Sequence, residues 1–200
     1  MKLLLTLLFA VASLACTSQV KTLTPGQAAP DFKLENVDSK EVSFKNFNDA
    51  KGYILVFTCN TCPYAKKYEQ RIIELNDKYA SAGFPVIAIN PNDPDVSGGD
   101  SFDKMKDRAK SKHYQFPYLF DEGQVATNAY GARNTPHVFV VAKTNAGNVV
   151  QYTGAIDNDP EDTNPNKIKY VEEVIGALNK NEKPSYTVTK AIGCTVKRKS

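Results

Sequence analysis

The pair Cys59 and Cys62 constrains the fold and chemistry of this chain more than any other sequence feature. The pair follows an apolar segment, residues 53–57, and Pro63 then begins a segment in which apolar and aromatic residues recur at helical spacing. A thiol at a helix N-terminus meets unpaired backbone N–H groups and the positive end of the helix dipole. Both favour the thiolate, the form that attacks disulfides and peroxides. The sequence therefore predicts a redox-active dithiol in which Cys59 is the more exposed sulfur and has a modestly lowered pKa.

A Cys-x-x-Cys pair can also be half of a zinc site or a plain structural disulfide. Structural zinc takes about four ligands, and the chain offers no second close pair of cysteines or histidines. His113 and His137 are isolated in the sequence. We therefore expect no metal at this pair and no other cofactor, while a structural disulfide stays open.

The first fifteen residues have the pattern of a secretory signal peptide. Lys2 precedes an apolar run, residues 3–15, which suits the hydrophobic region of a signal. The run is shorter than the roughly 20 residues that a membrane-spanning helix requires. The sequence therefore predicts a signal peptide at 1–15 and export, with the periplasm as the destination.

Cys16 leaves two routes of processing open. A signal peptidase could cut after Ala15, or Cys16 could be lipidated and tether the protein to a membrane. The preceding segment resembles a lipobox, although its leucine stands at −2 from the cysteine instead of −3. We favour the lipoprotein, with residues 16–24 as a tether.

The charge of the chain argues against nucleic acid as a partner. The formal net charge is only +3, and basic residues are interspersed with acidic ones.

The hydrophobic pattern predicts a βαβ unit and hence a parallel strand pair. Its parts are the strand 53–57, a helix from 63 that closes at Gly83, and a buried strand at 84–89. Further predicted elements are short strands at 32–34, 41–44 and 117–120, helices at 101–111, 124–130 and 167–178, and a hairpin of strands 138–142 and 149–153. Ile168 is assigned to the apolar stripe of the last helix. We place one domain at 25–181 and a C-terminal tail at 182–200.

Three segments resemble the AhpC/TSA-like redoxin proteins, a group related to TlpA and ResA. They are the entry Ala29-Pro30-Asp31-Phe32, the segment from Phe57 to Tyr64 around the dithiol, and the closing Ile192-Gly193-Cys194-Thr195-Val196-Lys197. The resemblance implies an α/β thioredoxin-like fold, with a central mixed sheet flanked by helices. It also implies that Pro136, after Thr135, is a cis-proline facing the dithiol.

The sequence departs from peroxiredoxins around the dithiol. Peroxiredoxins usually carry Pro-x-x-x-Thr-x-x-Cys and an arginine over the peroxide, and the residues around Cys59 do not reproduce that frame. Asn134 stands where related proteins often have a cysteine. These differences weaken the prediction of peroxidase activity.

The expected function is that of a thiol–disulfide oxidoreductase. Cys59 would attack a substrate disulfide and Cys62 would resolve the mixed disulfide, with a reducing couple because Asn60 and Thr61 bring no cation to the thiolate. The partners would be protein disulfides or dithiols and an upstream membrane reductant. Two alternatives stay open: a thiol peroxidase, and a copper metallochaperone with His137 as third ligand.

Cys194 is the cysteine left over once Cys16 is lipidated and the pair is counted. It could fold back to exchange with the dithiol, or it could be a small buried hydrophobe that pins the tail. We favour the second interpretation, because nothing near Cys194 in the sequence marks it as activated.

Overall fold

A computed structural model describes residues 21–199 of the chain. The predicted signal peptide, Cys16 and most of the predicted tether lie outside these residues. Within the described part, none of the helices combines the length and apolar character needed to span a membrane.

The fold is built on a mixed seven-stranded sheet, which confirms the predicted fold class. Residues 21–199 contain nine strands: β1 Leu34–Asn36, β2 Glu41–Val42, β3 Gly52–Phe57, β4 Val86–Asn90, β5 Tyr118–Phe120, β6 Asn134–Thr135, β7 His137–Thr144, β8 Gly147–Gly154 and β9 Cys194–Thr195. The large sheet has the order β2-β1-β5-β4-β3-β7-β8. Strand β3 pairs in parallel with β4, as the βαβ pattern predicts, and β4 pairs in parallel with β5. The other neighbours are antiparallel.

In the described part of the chain, four α-helices cover the two faces of the sheet. They are α1 Pro63–Tyr79, α2 Phe102–Ser111, α3 Val125–Tyr130 and α4 Tyr170–Asn179. Alternation along β3 decides which side chains meet which helices, because successive strand residues point to opposite faces. Ile54 and Val56 pack with residues of α1, α2 and α4. Leu55 and Phe57 pack with α3 and with the entry segment around Phe32.

The end of α1 sets the path into β4. The helix ends at Tyr79, and Gly83 then turns the chain with a φ of +94°, a conformation that glycine adopts at little cost. Gly83 accepts hydrogen bonds from the backbone N–H groups of Lys51 and Gly52. The turn thereby aligns the starts of β3 and β4, and both strands deliver their C-terminal ends to the same edge of the sheet.

Two predicted elements differ in detail from the structure. The hairpin between β7 and β8 turns over two residues, since Thr144 already pairs with Gly147. The last helix begins at Tyr170, and Ile168 lies before it in a loop, 37% exposed. The assignment of Ile168 to the apolar stripe is wrong because Asn158 holds this segment as a loop: its Oδ1 accepts from Ile168 N at 2.8 Å.

A second, two-stranded sheet formed by β6 and β9 was not predicted from the sequence. It is antiparallel, and its register places Thr135 opposite Cys194. Val196 N donates to Arg133 O at 3.0 Å, which extends the contact by one residue on each side. The tail after α4 thus returns to the body of the molecule, and the division at 181/182 stays a prediction.

Candidate active site

Cys59 and Cys62 lie where β3 ends and α1 begins. Thr58 N still donates to Ile89 O of the neighbouring strand, so the ladder of the sheet runs to within one residue of Cys59. Cys62 is the N-cap residue of α1, and its carbonyl accepts from Lys66 N in the first turn. Pro63 occupies the first helical position, where its missing N–H leaves no backbone bond unmade. The strand and the helix therefore fix both thiols in the backbone.

Thr135 touches both sulfur atoms. Cys59 Sγ lies 3.3 Å from Thr135 Oγ1, and Cys62 Sγ lies 3.1 Å from Thr135 O. The peptide bond between Thr135 and Pro136 is cis, so the prediction of a cis-proline at this position is confirmed. Thr135 is fully buried.

The two cysteines are buried to almost the same degree, contrary to expectation. The exposed fraction is 5% for Cys59 and 4% for Cys62. Cys59 is therefore not the distinctly more exposed sulfur that its earlier place in the sequence suggested. They are covered by β6 and by the returning tail, whose Cys194 packs against both.

Burial raises the pKa of Cys59, and the nearby Asp100 carboxylate raises it further. Hydrogen bonds from Thr135 and from the backbone N–H groups of Cys62 and Thr61 favour the thiolate and offset part of this effect. The expected lowering of the Cys59 pKa is wrong. The helix N-terminus acts in the predicted direction, but desolvation and a buried negative charge outweigh it.

Asp100 is the functional-site residue that the sequence did not indicate. Its side chain is fully buried and accepts from Asn60 N at 2.7 Å and Thr61 N at 3.2 Å. It is also an acceptor for three further side chains, Thr61, Asn92 and Ser97. In the sequence Asp100 lies just before the predicted helix 101–111, and only the fold brings it to the dithiol.

Cys194 forms a disulfide with Cys62, while Cys59 is a free thiol. The Cα atoms of the bonded pair are 6.0 Å apart, although 132 positions separate them in the sequence. The interpretation of Cys194 as a small buried hydrophobe that only pins the tail is therefore wrong, because its sulfur is bonded to Cys62. The third sulfur lies within the site.

His137 directly follows Pro136 but is occupied by the protein on both ring nitrogens. Nδ1 lies 3.4 Å from Arg133 N and Nε2 lies 3.0 Å from Thr153 Oγ1. Burial, followed by the charge of Arg133, lowers the pKa of His137 to about 4. Among residues 21–199 no group of three or more His, Cys, Asp or Glu side chains could hold a metal ion.

An open groove borders the site on the side of the tail. Its volume is about 600 Å³, and Asn134, Tyr64 and the segment 188–193 line it. Tyr64 and Val188 are the exposed apolar side chains of this groove, with 37% and 58% of their surfaces accessible. The groove lies beside Asn134, the residue that precedes Thr135 in β6.

Comparisons with known proteins agree with this architecture. The model of the AhpC/TSA family matches residues 25–152. Thiol-disulfide oxidoreductase ResA of Bacillus cereus is 27% identical over 134 residues, which are 67% of this chain and 72% of ResA. The crystal structure of an uncharacterised conserved protein from Geobacillus kaustophilus has a TM-score of 0.79 at 29% identity, covering 88% of this chain and 92% of that one.

A more distant structural neighbour is peroxidoxin BcpB from Mycobacterium tuberculosis. It has a TM-score of 0.54 at 15% identity, covering 66% of this chain and 84% of its own, and this likeness concerns the fold alone. The family match spans more than half of the chain and includes the dithiol and the cis-proline. The chain therefore belongs to the AhpC/TSA family and is an oxidoreductase with a thioredoxin-like fold.

Proposed function

We propose that the chain is an exported thiol–disulfide oxidoreductase that exchanges disulfides with other proteins through Cys59 and Cys62. The observation that carries the proposal is that both sulfurs, at the start of α1, contact Thr135 of β6. A dithiol held by a strand end and a helix start keeps the geometry that two successive exchange steps require. The similarity to ResA supports the same chemistry.

The proposed reaction starts from the protein in which all three cysteines are reduced, and it uses Cys59 and Cys62. The Cys59 thiolate attacks one sulfur of a substrate disulfide, which forms a mixed disulfide and releases one substrate thiol. Cys62 then attacks Cys59 Sγ, so that a Cys59–Cys62 bond forms and the second substrate thiol leaves. The substrate gains two electrons and two protons, and the enzyme becomes oxidised. Thr135 and Pro136 act as the backbone edge that borders the sulfurs.

The raised pKa of Cys59 supports the reducing direction. Strong oxidants of this chemistry owe their potential to a stabilised thiolate in the reduced form, and burial beside Asp100 has the opposite effect here. We therefore expect a reduction potential near or below about −250 mV, with an upstream membrane reductant restoring the dithiol. The predicted signal peptide and Cys16 support export and a membrane tether.

The same pKa weakens the proposal of a thiol peroxidase. Peroxide reacts with the thiolate, and burial beside the Asp100 carboxylate raises the pKa of Cys59, whereas fast peroxidases lower the pKa of their reactive cysteine. A copper metallochaperone would lose His137 as the expected third ligand, because both ring nitrogens of His137 already face protein atoms, Arg133 N and Thr153 Oγ1. The open groove of about 600 Å³ beside Asn134 supports a protein disulfide as the substrate.

Trapping of mixed disulfides tests the roles of the two cysteines. The double variant Cys62→Ser/Cys194→Ser leaves Cys59 as nucleophile and removes both sulfurs that could resolve its product. After incubation with insulin as a disulfide substrate, it should accumulate an insulin adduct on non-reducing gels. The matched variant Cys59→Ser/Cys194→Ser should not accumulate one. An adduct on both variants would contradict the assignment of the nucleophile.

A stopped-flow measurement with hydrogen peroxide separates the peroxidase from the oxidoreductase. The reduced wild-type protein should react no faster than free cysteine at the same pH. A much faster reaction that Cys59→Ser abolishes would favour the peroxidase instead.

A further inference from the structure

The tail places a third sulfur, that of Cys194, at the dithiol. The disulfide in the structure joins Cys62 to Cys194 and not to Cys59. Cys62 is bonded to Cys194, and Cys59 keeps a free thiol. Two-electron oxidation of three thiols always leaves one of them reduced. Three thiols allow three disulfides, and two of these share Cys62: Cys59–Cys62, which the proposed reaction forms, and Cys62–Cys194, which the structure holds.

Hydrogen bonds on both sides of Cys194 hold it in place without the disulfide. Downstream, Val196 N donates to Arg133 O, and Lys197 N donates to Asn92 Oδ1 at 2.9 Å. Upstream, Thr189 N donates to Thr153 O at 3.0 Å. These bonds do not depend on the redox state of the sulfurs. Cys194 should therefore stay next to Cys62 when the bond between them is reduced.

Gly193 allows the tail to approach the sulfurs this closely. A Cβ atom at this position would collide with the backbone carbonyl of Thr135. Asn134 Nδ2 donates to Gly193 O at 3.1 Å, which fastens the two backbones at their closest point. Backbone contact of this kind brings Cys194 opposite Thr135, the residue that touches both other sulfurs.

The three sulfurs differ in accessibility. Cys59 and Cys62 are buried, whereas Cys194 is half-buried and stands next to the exposed Thr195. Thiol–disulfide exchange requires access of the attacking thiolate to one sulfur of the bond. A protein dithiol reaches the Cys62–Cys194 bond from the side of the tail more easily than it reaches Cys59–Cys62.

We propose that Cys194 is a third redox-active residue, which takes the disulfide from the Cys59–Cys62 pair and presents it to a reducing dithiol. This inference rests on the proposed function. The Cys194 thiolate attacks Cys62 Sγ of the Cys59–Cys62 bond, the Cys62–Cys194 bond forms, and Cys59 leaves and takes up the proton that Cys194 gave up. The step is an isomerisation and needs no oxidant.

The second step is reduction by an external protein dithiol. Its first thiolate attacks Cys194 Sγ, which forms a mixed disulfide and releases Cys62. Its second thiol then attacks its own half of the mixed disulfide, and Cys194 leaves as a thiol. The external dithiol is oxidised by two electrons, and the enzyme regains three thiols.

Rapid acid quenching followed by peptide mass mapping tests the order of these disulfides. Reduced wild-type protein is mixed with insulin and quenched at increasing times. The Cys59–Cys62 peptide should appear first and convert to the Cys62–Cys194 peptide at a rate independent of protein concentration. Wild-type protein that retains Cys59–Cys62 as its final product would overturn the proposal.

Re-reduction tests the role of the second isomer. Oxidised wild-type protein and Cys194→Ser are mixed with reduced thioredoxin as the protein dithiol, and the loss of the disulfide is followed. Cys194→Ser should be reduced about tenfold more slowly, because only the buried Cys59–Cys62 bond is present. Equal rates, or a wild-type Cys62–Cys194 bond that resists reduction, would identify the bond as a structural fastening and overturn the proposal.

Two controls separate folding and the proposed function from the role of Cys194. Thr195→Ala changes the exposed neighbour and should keep wild-type rates, and thermal unfolding of Cys194→Ser checks that the variant is folded. The mass-mapping experiment on wild-type protein needs no variant.

If insulin is not reduced at all, the proposed function fails, but isomerisation can still be followed after oxidation with diamide. Interconversion there would support the role of Cys194 independently.

Discussion

At the scale of single residues, Asp100 controls the charge around the nucleophile. Its carboxylate is fully buried and occupies the backbone N–H groups of Asn60 and Thr61, between the two cysteines of the pair. A negative charge in this position opposes a second one on Cys59. Asp100 thus orders the loop between the cysteines and, after burial, raises the pKa of the Cys59 thiol.

Asp100→Asn should lower the pKa of Cys59. The amide retains an acceptor for the backbone N–H groups of the loop but removes the charge, so the Cys59 pKa should fall. The rate of alkylation of Cys59 by iodoacetamide, measured against pH in the Cys62→Ser/Cys194→Ser background, gives the pKa directly.

Asp103→Asn is the matched control for this experiment. Asp103 lies on the exposed first turn of α2 and makes an ion pair only with Lys106 at the surface. Its substitution should leave the alkylation profile unchanged. A Cys59 pKa that is equal in Asp100→Asn and in the wild type would show that burial alone sets it.

The error about the Cys59 pKa has a physical origin that local sequence could not reveal. The helix dipole and the free N–H groups belong to the start of α1, and this helix start was predicted correctly from Pro63 and the strand before it. The opposing charge comes from Asp100, 40 positions along the chain from Asn60. Only the turn after β4 brings the two together.

At the scale of elements, the pairing of β6 with β9 joins the tail to the site. Each strand has two residues, and their ladder places Thr135 opposite Cys194. The pair is short, so the fit of the two backbones decides whether it forms. Gly193 is the position at which that fit is closest.

Gly193→Ala should detach the tail from the site. The added methyl group would collide with the backbone carbonyl of Thr135, which cannot move aside as the end of a flexible side chain can. The free energy of unfolding should therefore fall by about 1–3 kcal/mol. Hydrogen exchange should accelerate at the amides of Val196 and Lys197, and the share of Cys62–Cys194 in oxidised protein should fall.

Gly98→Ala provides the comparison, because nothing lies within 4 Å of a Cβ atom at that position. This variant should keep the wild-type exchange rates and disulfide distribution. Unchanged exchange at Val196 in Gly193→Ala would show that the tail can shift to accommodate a methyl group.

The long elements of the βαβ unit were predictable, whereas the two-residue strands β6 and β9 were not. The βαβ unit around α1 follows from hydrophobic period and length, and the structure agrees to within a few residues. Strands of two residues, such as β6 and β9, carry no measurable period. The helix α4 begins at Tyr170, later than the predicted residue 167. The reason is that the Asn158 side chain accepts a hydrogen bond from the backbone N–H of Ile168 and holds that residue outside the helix.

At the scale of the whole molecule, the fold gathers residues that the sequence scatters. The central sheet delivers Cys59 and His137 to one edge, where β3 and β7 pair Phe57 with His137. The tail then closes over this edge with Cys194. The fold class and the dithiol could therefore be predicted from local pattern and resemblance. The disulfide partner of Cys62 could not, because it depends on the path of the chain after α4.

His137 should make the stability of the whole protein depend on pH below neutrality. The folded state holds its pKa at about 4, against 6.5 for the free side chain, because the ring is buried and Arg133 is charged. Between these values the unfolded chain binds a proton that the folded protein does not. The free energy of unfolding should therefore fall as the pH drops from about 6.5 to about 4, with a total contribution of about 3 kcal/mol.

Urea unfolding at several pH values between 7 and 4 measures this contribution in the wild type and in His137→Gln. Glutamine keeps a donor toward Thr153 Oγ1 but does not titrate, so the variant should lose less stability on acidification than the wild type. His113→Gln, on an exposed turn, is the matched histidine control and should follow the wild-type curve. Parallel curves for the wild type and His137→Gln would mean that carboxylates, and not the histidine beside the cis-proline, set the acid limit of the fold. A free energy of unfolding that depends less on pH in His137→Gln than in the wild type and in His113→Gln would instead show that protonation of His137, next to the dithiol, sets this limit.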